Sequence, residues 1–187
     1  VEGDTLQKAA AKKLLPLVIQ AKILAKKYDA AIANPPYMGQ GYFNASLKYF
    51  ASTVFKEWSG DLFTCFIKRM INFLKKNGNL SLITIGTWTF LPTYENMRAS
   101  FLKEVNFSSI IDNGRGVWGS DHGSIMFSAA KGVLHHNRNL IGTKFLSRGK
   151  GKVQPIETIK NKFFDSLPVY LYQNLFEKLP NSVVSIG

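Results

Sequence analysis

Residues Tyr28–Asn44 read "YDAAIANPPYMGQGYFN", and the interpretation of this stretch decides the fold. Residues 29–33, "DAAIA", are short, small and apolar, the pattern of a buried strand. Asn34-Pro35 ends it, because proline drives its predecessor toward extended backbone and brings no amide hydrogen to a ladder. Two prolines and a tyrosine ring thus stand at a strand's carboxyl end. Such a turn either punctuates the strand or, since proline fixes φ, holds backbone carbonyls out toward a ligand.

Upstream, "TLQKAAAKKLLPLVIQAKILAKK" (5–27) carries Leu14, Leu15, Val18, Ile19, Ala21 and Ile23 at mixed three-and-four spacing. This predicts an amphipathic helix, or two short ones divided near Pro16, with lysines on the other face. Downstream, "DLFTCFIKRMINFLKK" (61–76) is the clearest helix: Leu62, Phe63, Phe66, Ile67, Met70, Ile71, Phe73 and Leu74 form one broad stripe. Asp61 can cap its start and Asn77-Gly78 can close its end. A β-rich run occupies 79–85, then a helical pattern extends from Thr93 to Glu104. "FSSII" (107–111) and "SIMFSAA" (124–130) are strand candidates separated by "DNGRGVWGSDHG", with no helical pattern between them, so they are expected to pair antiparallel.

Strands alternating with helices predict an α/β fold with a parallel sheet, to which the hairpin adds an antiparallel edge. Ligands of such sheets bind outside the carboxyl ends of the strands, where Asn34–Tyr37 falls. The expected organisation is an N-terminal helical segment (1–27), a unit built around the Asn-Pro-Pro-Tyr strand (28–132), and a basic linker with the start of a following region (133–187). Within the last, "LSRGKGKVQP" (146–155) reads as linker.

A chain of 187 residues, 45% hydrophobic and 13% aromatic, can fill one core. No window approaches the roughly 18 consecutive apolar residues of a membrane helix, and "VEGDTLQKAAAKK" lacks an apolar signal core, so a soluble, cytoplasmic protein is expected. Cys65 is the single cysteine, which leaves no disulfide framework and no cysteine-based zinc site. His135-His136 has no third ligand nearby, Asp121-His122 no nucleophile signature, and no metal is expected. A start at Val1 and an end in "SVVSIG" suggest an excerpt of a longer chain.

Lys and Arg outnumber Asp and Glu by 24 to 12, a formal charge of +12 that favours an anionic partner. The excess concentrates between Lys131 and Lys162, where Lys131, Arg138, Lys144, Arg148, Lys150, Lys152, Lys160 and Lys162 face the one acid Glu157. A run of this kind is either a solvated face or a phosphate-contacting surface. Lys144, Arg148, Lys150 and Lys152 are the candidate DNA contacts.

An Asn/Asp/Ser-Pro-Pro-aromatic tetrad arises by chance in about one chain of this length in a hundred, and more rarely behind a buried strand, so a plain turn with a packed tyrosine is the weaker reading. The tetrad suits one chemistry in particular. The exocyclic amine of adenine is a poor nucleophile, because its lone pair is delocalised into the ring. Acceptors on its two hydrogens, the Asn34 side-chain oxygen and the Pro35 carbonyl, would stabilise the charge that develops on nitrogen as it attacks a methyl group. Pro35 and Pro36 fix the backbone, and Tyr37 offers a stacking face to a base taken out of the duplex.

"DAAIANPPY" resembles motif IV of the amino-group DNA methyltransferases. The wider stretches "LLPLVIQAKILAKKYDAAIANPPYMGQGYFN" and "DLFTCFIKRMINFLKKNGNLSLITIGTWTFLPTYENMRASFLKE" resemble the adenine-specific methyltransferases of BREX phage-defence systems, the PglX type. The similarity runs from about Leu14 to Lys131, with a weaker echo in "LPVYLYQ" (167–173). It implies part of a Rossmann-like class I methyltransferase sheet, its C-terminal half, and S-adenosylmethionine as methyl donor. It also implies double-stranded DNA as substrate, a bacterial restriction-modification or defence setting with other subunits as partners, and catalytic roles for Asn34, Pro35, Pro36 and Tyr37. Alternatives are a non-catalytic DNA-binding or assembly fragment, or a methyltransferase acting on RNA or on protein glutamine. In the family the donor's glycine-rich loop normally precedes the Asn-Pro-Pro-Tyr strand, and here only a lysine-rich helix does. Gly114, Gly116 and Gly119 match G-x-G-x-x-G after a strand but are followed by loop and strand, so they make a flexible loop more readily than a donor cradle. Trp88, after another strand end, either lines the same cleft or belongs to the core.

Overall fold

The computed structural model describes residues 4–115, 123–132, 139–144 and 155–186. Along the chain come α1 (Thr5–Ala25), β1 (Tyr28–Ala33), α2 (Ala45–Val54), α3 (Leu62–Phe73), β2 (Leu74–Ile85), α4 (Glu95–Glu104), β3 (Val105–Gly114), β4 (Ser124–Lys131), β5 (Asn139–Lys144), α5 (Ile156–Asp165), β6 (Val169–Tyr172) and α6 (Asn174–Lys178). The strands form one mixed sheet in the order β1-β2-β4-β3-β5-β6. β1 runs parallel to β2 and β3 parallel to β5, while β4 is antiparallel to both β2 and β3 and β6 is antiparallel to β5. The α/β expectation holds, as does the antiparallel pairing of 107–111 with 124–130. The hairpin does not close the sheet, however: its second strand inserts between β2 and β3, and the antiparallel edge is β6.

Alternation along the strands separates two faces. On one, Leu80, Leu82, Phe107, Ile110, Ile125, Phe127 and Ala129 are buried beneath α3 and α4. α3 supplies Phe63, Ile67, Met70 and Ile71 to this core, and Asp61 caps it in a box with Thr64. Phe101 of α4 is the hub of the aromatic packing, edge-on to Trp58, Phe107 and Phe127 and tilted against Trp88 at centroid separations of 5.1 to 5.7 Å. Trp88 is therefore core, its indole N–H donating to Thr84 Oγ1, rather than part of a cleft.

The opposite face is open among the described residues. Ile32, Ser81, Ile83, Ser109, Ile111, Met126 and Ser128 line a shallow groove of about 350 Å³ that reaches Asn34. β1, expected as a buried strand, has β2 as its one strand neighbour among the described residues, which leaves Ile32 81% exposed. α1 does not cover this face. It is one continuous helix through Pro16, and none of its residues is buried. It is tied to the rest near its carboxyl end, where Tyr28 Oη donates to the Ile23 carbonyl, Arg69 to the Leu24 carbonyl and Lys27 to the Asn72 carbonyl.

Two boundaries depart from the sequence reading. α3 stops at Phe73, and β2 begins at once with Leu74, which is buried and aligned with Tyr28. Lys75 and Lys76 are strand residues, and Lys75 reaches across to Asp29 at 2.8 Å. Asn77-Gly78 therefore shapes a bulge rather than a helix end. Asn77 is left-handed at φ 62°, and a Cβ on Gly78 would lie 3.1 Å from the carbonyls of Tyr28, Asp29 and Lys75. In the part expected as basic linker and start of a following region (133–187), 139–144 and 169–172 join the sheet, while 145–154 lies outside the described residues. The buried Gln173 fastens this part down, accepting from the Phe107 amide at 2.7 Å and donating to the Leu102 and Val105 carbonyls.

Candidate active site

The Asn34–Tyr37 turn leaves the carboxyl end of β1, as its sequence predicts. Pro35 is buried and anchors the turn, whereas Asn34, Pro36 and Tyr37 are exposed. Residues 38–40 are pinned to the start of α3. Asp61 Oδ1 accepts from the Met38 amide at 3.0 Å and from the Phe63 amide, Leu62 N–H donates to the Met38 carbonyl, and Gln40 N–H to the Gly60 carbonyl. The helix cap thus also fixes the far side of the turn, so the turn hangs between β1 and α3.

Tyr37 lies across this frame. Its hydroxyl is 2.8 Å from Asn34 Oδ1 and 3.1 Å from the Ile83 carbonyl of the neighbouring strand. Its ring meets Phe63 edge-on at 6.0 Å, and Phe63 in turn meets Tyr94 at 5.9 Å. Burial raises the Tyr37 phenol above its ordinary pKa. Tyr94 is pushed up to about 12, first by burial and then by the charge of Asp61, and Cys65 to about 11 by the same two causes. A phenol and a thiol so placed stay protonated at neutral pH. The turn can therefore accept hydrogen bonds and present an aromatic face without ionising.

Gly114 ends β3 with φ 67°, its amide donating to Asp112 Oδ1 at 3.0 Å, and it aligns with Ser124 of antiparallel β4. The chain returns as a strand where a donor or phosphate loop would open a helix. Gly116 and Gly119 lie outside the described residues. Of the basic candidates, Lys144 is the last residue of β5, in register with Asp112. Arg148, Lys150 and Lys152 lie outside the described residues, as do His135-His136 and Asp121-His122. Within the same cluster Lys131 donates to the Leu74 carbonyl and Lys160 pairs with Glu157. Among the described residues no group of three or more His, Cys, Asp or Glu side chains could hold a metal, and no helix is long and apolar enough to cross a membrane.

The sheet has the architecture of the class I methyltransferase fold. A solved structure described as a putative class I S-adenosylmethionine-dependent methyltransferase from Listeria monocytogenes overlays with a TM-score of 0.53 at 15% identity, over 75% of this chain and 44% of its own. A structure of a type I restriction-modification system overlays with a TM-score of 0.62 at 12% identity, over 86% of this chain and 38% of its own. A family model described as Eco57I restriction-modification methylase matches residues 4–118, and the chain belongs to that family.

Two relatives narrow the likeness. The adenine-specific methyltransferase BrxX of Escherichia coli O9:H4 (strain HS) is 33% identical over 189 residues, which cover 99% of this chain and 15% of the relative. The adenine-specific methyltransferase PglX of Lacticaseibacillus casei (strain Zhang) is 33% identical over 86 residues, 46% of this chain and 7% of the relative. The PglX-type resemblance carried by Leu14–Lys131 is borne out, and the chain spans a small part of the length of these relatives.

Proposed function

We propose that this chain is the acceptor-base portion of a longer DNA adenine-N6 methyltransferase that acts in a bacterial restriction-modification or phage-defence system. The observation that carries this reading is the Asn34 side-chain oxygen at the carboxyl end of β1, on a turn held from both sides by Pro35 and by Asp61. In this reading Asn34 Oδ1 and the Pro35 carbonyl accept the two hydrogens of a flipped adenine's amino group. As that nitrogen becomes tetrahedral and positive, the hydrogen bonds strengthen, and neither acceptor has to change its protonation state. Pro36 keeps the turn rigid, and Tyr37 stacks on the base. S-adenosylmethionine is the methyl donor of this reaction, held by residues other than those of the turn.

The three-part division at 27/28 and 132/133 belongs to the same reading, with the last part fastened to the sheet through Gln173. Its lysines and arginines, Lys144, Arg148, Lys150 and Lys152 among them, serve double-stranded DNA. Other subunits of the defence system are its further partners. The test is Asn34→Ala in the full polypeptide that carries this segment, assayed with labelled S-adenosylmethionine on adenine-containing duplex. Loss of N6 labelling by a variant with an unchanged melting temperature supports the reading. Wild-type turnover per folded molecule sinks it.

A further inference from the structure

Within the candidate site, the oxygen assigned to receive the base already accepts one hydrogen bond from the protein. The Tyr37 hydroxyl, 2.8 Å from Asn34 Oδ1, has a second acceptor in the Ile83 carbonyl at 3.1 Å. A phenol carries a single proton and can donate it fully to one oxygen at a time. Both acceptors lie within reach of one rotation about the C–O bond, so the ring itself need not move. Tyr37 is 45% exposed as a residue, and its ring is braced edge-on against Phe63.

We infer that the Tyr37 hydroxyl is a placeholder for the amino group of the target base: it satisfies Asn34 Oδ1 while the site is empty and turns to the Ile83 carbonyl when the base arrives. The inference rests on the assignment of Asn34 as the base acceptor. It gives Tyr37 a role besides stacking, that of a positioning residue acting through Asn34. The exchange conserves hydrogen bonds. The base donates to Asn34, the hydroxyl donates to Ile83, and no polar atom is stranded when the site closes. The exchange leaves capture of adenine about as strong as it would be without the hydroxyl, because the proton that leaves Asn34 Oδ1 is taken up by the Ile83 carbonyl. A base presenting a carbonyl in place of the amino group cannot displace the hydroxyl, and it leaves Asn34 paired as before.

Tyr37→Phe keeps the ring and removes the competitor. In equilibrium titrations of the full polypeptide, without S-adenosylmethionine, this variant should bind a duplex with adenine at the target position about as tightly as wild type, and one with hypoxanthine there about three- to tenfold more weakly, the size of one net hydrogen bond. Its preference for adenine over hypoxanthine should widen, since hypoxanthine then leaves Asn34 Oδ1 unpaired. In an Asn34→Ala background the widening should vanish. An unchanged preference for adenine over hypoxanthine in Tyr37→Phe overturns the inference, and so does a widened preference that survives Asn34→Ala. Wild-type methylation by Asn34→Ala alone marks a different failure, that of the site assignment beneath it.

Discussion

The Arg98 guanidinium donates to the Asn181 carbonyl through both Nε and Nη2, at 3.2 and 2.8 Å, and through Nη1 to the Trp88 and Leu91 carbonyls. One fully buried cation thereby joins α4, the turn after β2 and the last described segment of the chain, where the Val184 amide also donates to the Thr89 carbonyl. Burial lowers its pKa below the usual arginine value, and carbonyl dipoles hold the charge in place. Arg98→Ala should cost about 3 to 5 kcal/mol, because three aligned carbonyls lose their donor inside the core. Thermal denaturation followed by far-UV circular dichroism reads this directly. A melting temperature within a few degrees of wild type would show that the segment docks without the cation.

Asn34→Ala and Tyr37→Ala should separate chemistry from capture. Asn34 is exposed, so its truncation opens no cavity and the melting temperature should hold, while methylation by the full polypeptide falls by about two to three orders of magnitude. Tyr37→Ala should weaken binding of the flipped base by about 1 to 3 kcal/mol, leaving the rate at saturating DNA less affected. A turn that merely packs a ring would reverse the pattern, losing melting temperature before specific activity.

The path from sequence to structure was clear where one element carries its own signal. α3 announces itself through its stripe and its Asp61 cap, and the turn at Asn34 through its prolines. α2 does not, because Ala51 is its one buried residue and no apolar stripe exists to be seen. Asn44, which caps it by accepting from the Leu47 amide, is the signal that could have found it. The early start of β2 was hidden because Leu74 continues the stripe of α3 while pairing as a strand with Tyr28, a partner distant in sequence. β5 and β6 are short and depend on each other and on β3. In the site, residue types and order were legible. The hydroxyl contact was not, since it depends on a rotamer and on the Ile83 carbonyl of another strand.

Binding to DNA should depend steeply on salt if the basic residues between Lys131 and Lys162 meet phosphates, each neutralised phosphate adding about 0.9 to the slope of log affinity against log salt. Reversing Lys150 and Lys152 together to Glu should lower that slope by about 2. An unchanged slope would leave the cluster as solvated surface.

Alkaline conditions should destabilise the fold in two stages. The Cys65 thiol, raised from 9.0 to about 11, and the Tyr94 phenol, raised from 10.0 to about 12, both keep their protons longer in the folded than in the unfolded chain. Their contribution is fully present below about pH 9, begins to fall as unfolded Cys65 ionises, and is lost as the pH passes the folded values. Melting temperature should drop from about pH 9 upward. Tyr94→Phe should remove the part of that drop that sets in above about pH 10, and a variant curve parallel to wild type throughout would count against the Tyr94 assignment. At neutral pH Cys65 should resist a thiol-specific reagent until the protein is denatured.

β1 presents one row of backbone amides and carbonyls to β2 and, among the described residues, no strand to the other row, with the Ile32 side chain 81% exposed beside it. An unpaired apolar edge of this kind is a template for any extended chain, including a second copy of itself. Handled as a free-standing piece, the protein should therefore be limited by concentration before temperature. Edge-to-edge association would set the ceiling, and Ile32→Lys, which sets a charge on the open face beside that edge, is one way to raise it.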